Sequence, residues 1–160
     1  MKNGNPAIED FWHAYLASLP PDAPPPAAYQ AWHLGNNADM ADRLGHLVKT
    51  GVKTATCSLV WVYEAEQERL PQVGDLSIIT TWDGEPLCVI ETTQAEVKAF
   101  DQVGEQFAHD EGEGDRSLAY WRRVHGEFFG EECAAIGRQP SHDMPLLCER
   151  FRLVFTGQGD

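Results

Sequence analysis

The chain has 160 residues, 42% of them hydrophobic and 23% charged, which suits one soluble globular domain with a sizeable core. Its formal net charge of −13 weighs against tight, sequence-independent binding of long nucleic acid, whose phosphates need a basic surface, but not against a small uncharged nucleoside. No apolar run reaches the roughly 18 residues of a membrane span, and the opening MKNGNPAIED holds no signal-peptide core, so a cytoplasmic protein without membrane contact is expected.

The first predicted element is an amphipathic helix in NPAIEDFWHAYLASLP. Asn5 is its cap, Pro6 its first residue, and Ile8, Phe11, Trp12, Tyr15, Leu16 and Leu19 recur at helical spacing. The proline run PPDAPPP then excludes regular structure and reads as a stiff connector. Residues 1–28 are therefore expected to form an arm packed on a main domain of residues 29–156, with 157–160 as a tail. AYQAWHLG reads as a short strand. NNADMADRLGHLVKTG reads as a second helix, capped by Asn37, stopped by Gly51, and apolar along Met40, Leu44, Leu47 and Val48.

The segment from Lys53 begins like a strand, but LVWVYEAEQERL suits helix and strand equally. Two β-branched runs around Asp83-Gly84 predict a hairpin. Helical patterns return between Asp101 and Phe129. In the last of them, Asp115 is the expected cap, with Leu118, Trp121, Val124, His125, Phe128 and Phe129 along one side. DMPLLCERFRLVF closes the chain as a strand whose alternation puts Leu147, Glu149, Phe151, Leu153 and Phe155 on one face. Strands and helices partly segregated in this way indicate an α+β fold with a small curved sheet or barrel.

Three stretches carry chemistry. The first is GVKTATCS, residues 51–58. Lys53 is either a turn lysine or an amine beside hydroxyls. In an extended segment it lies opposite Thr54 and Thr56; if the chain turns after Thr54, Lys53 and Thr56 meet at i, i+3. A threonine hydroxyl needs a base to attack a carbonyl, and a desolvated lysine can be one. The second is FAHDEGEGDRS, where Asp110, Glu111, Glu113 and Asp115 crowd among glycines, either as an acidic helix start or as a carboxylate aimed into a pocket. The third is Glu91, at the end of an apolar strand.

Metal chemistry finds no pattern. His109, Glu111 and His125 are the closest to a ligand set, but H-x-E is too short for one helix face, and Cys57, Cys88, Cys133 and Cys148 form no C-x-x-C pair. No cofactor and no bound metal are expected, and the cysteines read as buried reduced thiols.

The blocks TGVKTATCSL, VGDLSIITTWDGEPLCVIETT, FAHDEGEGDRSLAYWRRVHGEFF and MPLLCERFRLVF, taken in this order, resemble the ASCH-domain family over roughly residues 29–156. That family is similar to the PUA superfamily, so the resemblance implies a PUA-like small β-barrel with flanking helices. In its small amidohydrolase branch, a lysine followed three residues later by a threonine works with a distant glutamate in an Ala-x-x-Glu segment. Lys53, Thr56 and Glu111 match these positions and are the implied catalytic residues. Thr54, Cys57, Ser58 and Glu91 are the candidate substrate-binding residues around them.

The implied activity is hydrolysis of the acyl amide of N4-acylated cytosine nucleosides such as N4-acetylcytidine, with Thr56 as nucleophile and Lys53 as base. A carboxylate beside Lys53 favours its charged form, however, so a second assignment makes Glu111 the proton acceptor and Lys53 the electrophile. The family's other associated activity is RNA binding or cleavage. Lys53 would suit it, and Arg122, Arg123, Arg138, Arg150 and Arg152 are the cations available for a patch, although the stretch from Asp101 to Asp115 has six acids and no Lys or Arg. The expected partner is a nucleoside substrate, with RNA as the alternative, and a monomer or homodimer fits either.

Overall fold

The computed structural model of the chain describes residues 5–157. Residues 158–160 of the expected tail lie outside the described residues. Helix α1 spans Pro6–Ala17 and starts as its sequence dictates: the Asn5 side chain accepts from the Ala7 N–H at 3.0 Å, and Pro6 takes the first position, where no N–H is needed. Strand β1 is Gln30–Trp32. Helix α2, Ala38–Lys49, is capped by Asn37 on the Met40 N–H at 2.8 Å, and the chain leaves it through Gly51 at φ +84°. Its buried stripe is Ala41, Leu44, Gly45 and Val48.

The ambiguous segment resolves into two elements. Strand β2, Ala55–Leu59, passes directly into helix α3, Val60–Glu66, which ends at Gln67 in the left-handed region. The hairpin consists of β3, Leu76–Thr80, and β4, Pro86–Ala99, paired antiparallel with a register shift at Ile79/Thr80. Gly84 supplies a positive φ within its five-residue connection.

Helix α4 is Glu105–Glu111 and helix α5 is Leu118–Ala135. Two expectations change here. Ser117, not Asp115, caps α5: its Oγ accepts from the Tyr120 N–H at 3.1 Å, while Asp115 accepts from the Ser117 N–H. Positive φ at Gly112, Gly114 and Arg116 keeps the chain non-helical until Leu118, which puts Asp115 too early to cap. The acidic stretch is also not a helix start. Asp110 and Glu111 sit in the last turn of α4, where the helix dipole disfavours carboxylates, so their charges need partners from elsewhere.

Strand β5, Pro145–Phe155, closes the chain. It is buried on both faces from Leu146 to Cys148, and Leu153, which shares a face with Leu147 and Phe151 by alternation, is 37% exposed because the buried run ends at Phe151.

The strands form one sheet in the order β1-β3-β4-β5-β2. The chain divides into two units of internal contact. One comprises residues up to Gly51, Gly74–Glu91 and the segment from Arg152; the other comprises Val52–Val73 and Thr92–Phe151. In the first unit, Ile8, Trp12 and Tyr15 of α1 pack on Ile78 and Val89, with Tyr29 and Phe155 beside them. In the second, β2 and β5 supply Ala55, Leu59, Leu146 and Cys148 to a core closed by Phe107, Trp121 and Phe129 from α4 and α5. No helix among the described residues is long and apolar enough to cross a membrane.

Candidate functional site

The second unit holds a network of buried polar side chains. It is built where the end of α4 meets the start of β2. The Thr54 N–H donates to the Asp110 carbonyl at 2.8 Å, and the Thr54 carbonyl accepts from the Phe151 N–H at 3.1 Å. These two bonds lock the residue after Lys53 between α4 and β5. Gly112 lets the loop come this close: at φ +74°, a Cβ there would meet the Val52 carbonyl oxygen at 2.7 Å.

So held, Lys53 is 1% exposed, and its Nζ donates to Glu111 Oε1 and Glu113 Oε2 at 2.7 Å each. The other Glu111 oxygen, Oε2, accepts from Trp121 Nε1–H at 2.8 Å and from the Cys57 thiol at 3.1 Å. His125 Nε2 lies 3.5 Å from the same oxygen. The imidazole stacks on the Trp121 indole at 4.4 Å between centroids, and its Nδ1 is 3.0 Å from the Trp121 carbonyl.

Helix α5 can reach this network because Trp121 and His125 are four residues apart and share one face. The loop after α4 contributes Glu113, and β2 contributes Cys57.

Burial alone would neutralise these groups, and their mutual proximity prevents it. Desolvation opposes the Lys53 ammonium, but Glu111 and Glu113 more than offset it and hold the amine above its ordinary value. Desolvation likewise opposes the Glu111 carboxylate, and Lys53 and His125 overcome it, holding the carboxyl well below the usual range. Burial opposes a charged His125, yet Glu111 pulls its pKa upward. For Cys57, burial and the Glu111 charge both act in the same direction and push the thiol well above its ordinary value. Lys53 in the resting protein is therefore an ammonium, not a free base.

The structure thus brings together Lys53, Glu111 and Cys57 of the predicted residues. Thr56 is not hydrogen-bonded to Lys53 or Glu111 among the described residues. Strand alternation explains this, because Ala55 and Cys57 face the core with Trp121 while Thr56 faces the other way, directly opposite Glu149 of β5. The extended alternative for residues 53–56 holds, and the i, i+3 turn does not form. Thr54 is exposed, with its hydroxyl 3.3 Å from the Asp110 carbonyl. Ser58 pairs with the Tyr63 hydroxyl at 3.0 Å. Glu91 belongs to the first unit, where it accepts from Arg152.

Sequence reasoning missed Glu113 as the second clamp on Lys53; it placed Trp121 and His125 along one helix face and weighed His125 only as a metal ligand, not as a partner of the Lys53–Glu111 pair. For Glu113, the glycines on both sides were the available signal. Of the set weighed and set aside for a metal, His109 is exposed with a side chain 55% accessible, and it is Cys57 that lies beside Glu111 and His125.

The family model described as the ASCH domain matches residues 30–155. The fold is similar to that of an ASCH domain from Lactobacillus crispatus JV V101, at TM-score 0.90 and 35% identity over 97% of this chain and 98% of that one. It is also similar to a protein from Enterococcus faecalis V583, at TM-score 0.83 and 38% identity over 94% of this chain and 90% of that one. A hypothetical protein with TM-score 0.54 and 16% identity, over 79% of this chain and 100% of its own, shares the fold alone. No curated protein gives a match. These likenesses bear out the expected α+β, PUA-like fold.

Proposed function

Because the chain belongs to the ASCH domain family, we propose that it is an amidohydrolase cleaving the acyl amide of N4-acylated cytosine nucleosides. The observation carrying this reading is the contact between Lys53 and Glu111. Both occupy positions matching the amidohydrolase branch, they lie 58 residues apart in sequence, and they meet at 2.7 Å in a buried pair.

The charge state of Lys53 selects between its two assignments. A lysine clamped by two carboxylates offers N–H groups rather than a lone pair, so it polarises the acyl carbonyl and Glu111 accepts the proton. A substrate carbonyl that draws Lys53 toward itself loosens the pair and returns basicity to Glu111.

Strand β2 is an outer strand, paired among the described residues only with β5. Thr56 and the buried Lys53–Glu111 pair lie on opposite faces of this strand, so a substrate at its unpaired edge engages both only when β2 shifts from its resting position. The Thr56 oxygen then forms a bond to the acyl carbon, and its proton passes to Glu111. The C–N4 bond breaks as that proton moves to N4, which releases cytidine. Water next adds to the acyl-threonine, the ester bond breaks, the carboxylic acid leaves and the Thr56 hydroxyl is restored.

RNA handling has less support, because Arg138, Arg150 and Arg152 are engaged by Glu64, Asp110 and Glu91. The test follows the absorbance of N4-acetylcytidine with Lys53→Ala, Thr56→Ala and Glu111→Gln. Losses of about a hundredfold or more are expected, together with acyl-threonine trapped at Thr56 in quenched samples analysed by mass spectrometry. Wild-type protein that leaves N4-acetylcytidine intact yet cleaves single-stranded RNA, with steep salt dependence, would overturn the reading in favour of RNA.

A further inference from the structure

We propose that Cys57, Glu111 and His125 form a binding site for a borderline-soft divalent metal, with Zn²⁺ the best-fitting ion. The three residues come from β2, the end of α4 and α5, and each offers a different donor. Their ligand atoms all lie within 4.8 Å of one another. Cys57 Sγ is 3.1 Å and His125 Nε2 is 3.5 Å from Glu111 Oε2. In a tetrahedral zinc site, bond lengths of about 2.0–2.3 Å put neighbouring ligand atoms roughly 3.3–3.6 Å apart, so the Cys57–Glu111 and His125–Glu111 separations are within a few tenths of an ångström of what the ion needs.

The surroundings have the features of a prepared site. His125 Nδ1 is 3.0 Å from the Trp121 carbonyl, which places the N–H on Nδ1 and leaves Nε2 facing the other two donors. Stacking on Trp121 fixes the ring plane. Glu111 is held through Oε1 by Lys53, so Oε2 is the oxygen presented, and the Trp121 indole N–H at 2.8 Å steadies it from outside the ligand set. Glu111 and His125 are buried and Cys57 is half-buried.

A thiolate, an imidazole and a carboxylate together favour zinc or cobalt over the hard cations Ca²⁺ and Mg²⁺. Three protein ligands leave a fourth position open to an exogenous donor.

The inference does not rest on the amidohydrolase reading, and its test needs no turnover. Metal-free protein is titrated with Co²⁺ and the near-ultraviolet thiolate-to-cobalt charge-transfer band is recorded, followed by displacement with Zn²⁺. Saturation at one ion per chain is expected, with proton release from the Cys57 thiol seen in calorimetry across buffers. Cys57→Ser, checked for folding by circular dichroism, should abolish the band, and His125→Gln should weaken binding by about tenfold or more. Absence of the band in the wild type overturns the proposal. So does a band that survives Cys57→Ser, since Cys88, Cys133 or Cys148 would then be the ligand. If Cys57→Ser does not fold, His125→Gln decides, and unchanged affinity overturns the site.

Discussion

Replacing Lys53 by methionine tests the buried network most directly. The side chain keeps nearly the same volume, so little packing is lost, and the change isolates the charge. Lys53 bonds two carboxylates at 2.7 Å each, and Glu111 is as deeply buried as the lysine, at 1% exposure. Without the ammonium, the Glu111 and Glu113 carboxylates lose the charge that bonds them both. Breaking a buried pair from one side costs about 3–5 kcal/mol, because the stranded charge keeps its desolvation penalty. For a chain of this size, that corresponds to a fall in Tm of roughly 6–20 °C.

The deficit should shrink in acid, since protonating Glu111 removes the stranded charge. Its carboxyl is held below the usual range only while Lys53 is present, so in the variant it titrates at higher pH. Urea denaturation of wild type and Lys53→Met at pH 7.5 and pH 5 measures both effects. Adding Glu111→Gln to Lys53→Met should recover part of the loss at pH 7.5. A Lys53→Met variant within about 0.5 kcal/mol of wild type at neutral pH would refute the reasoning, as it would place Lys53 in solvent.

Three other outcomes follow from the geometry. Gly112→Ala should cost about 1–3 kcal/mol in denaturant unfolding, because it combines a positive φ with a Cβ 2.7 Å from the Val52 carbonyl oxygen. Gly74→Ala, also at positive φ but with nothing within 4 Å, separates backbone strain from the clash and should cost less. Trp121→Phe keeps an aromatic ring but removes the 2.8 Å indole donor to Glu111, so a loss of about 1–3 kcal/mol is expected by the same assay. His125 has a raised folded-state pKa, so its stabilising contribution is fully present below its unfolded value of about 6.5 and disappears as pH rises through the folded value. His125→Gln should therefore flatten the decline of stability above pH 6.5, as read from Tm across a pH series. The lowered Glu111 works in the opposite window: its contribution is present above about pH 4.3 and lost as pH falls.

What could be read from the sequence was what nearby residues decide. Asn5 with Pro6, Asn37 with Gly51, and Asp83-Gly84 each encode a boundary through bonds spanning only a few residues, and the structure places a cap, a stop or a turn at each. The blocks that resemble the ASCH family identified Lys53 and Glu111 as a pair although 58 residues separate them. The division between β2 and α3 was not legible, because an apolar run of that length satisfies either period until tertiary packing selects one. Asp115 looked like a cap by residue type, but positive φ at Gly112, Gly114 and Arg116 moves the helix start past it to Ser117.

The amino-acid order by itself determined the local boundaries, the fold family and the two motif halves. Only the tertiary structure decided the chemical state of the pair. It enclosed Lys53 between Glu111 and Glu113, so the amine is charged. It gathered Cys57, Trp121 and His125 around one carboxylate oxygen, and it turned Thr56 to the opposite face of its strand. The physical reason is that pKa values and ligand geometry depend on distance and burial. Spacing along a chain does not specify either until β2, α4 and α5 have packed together.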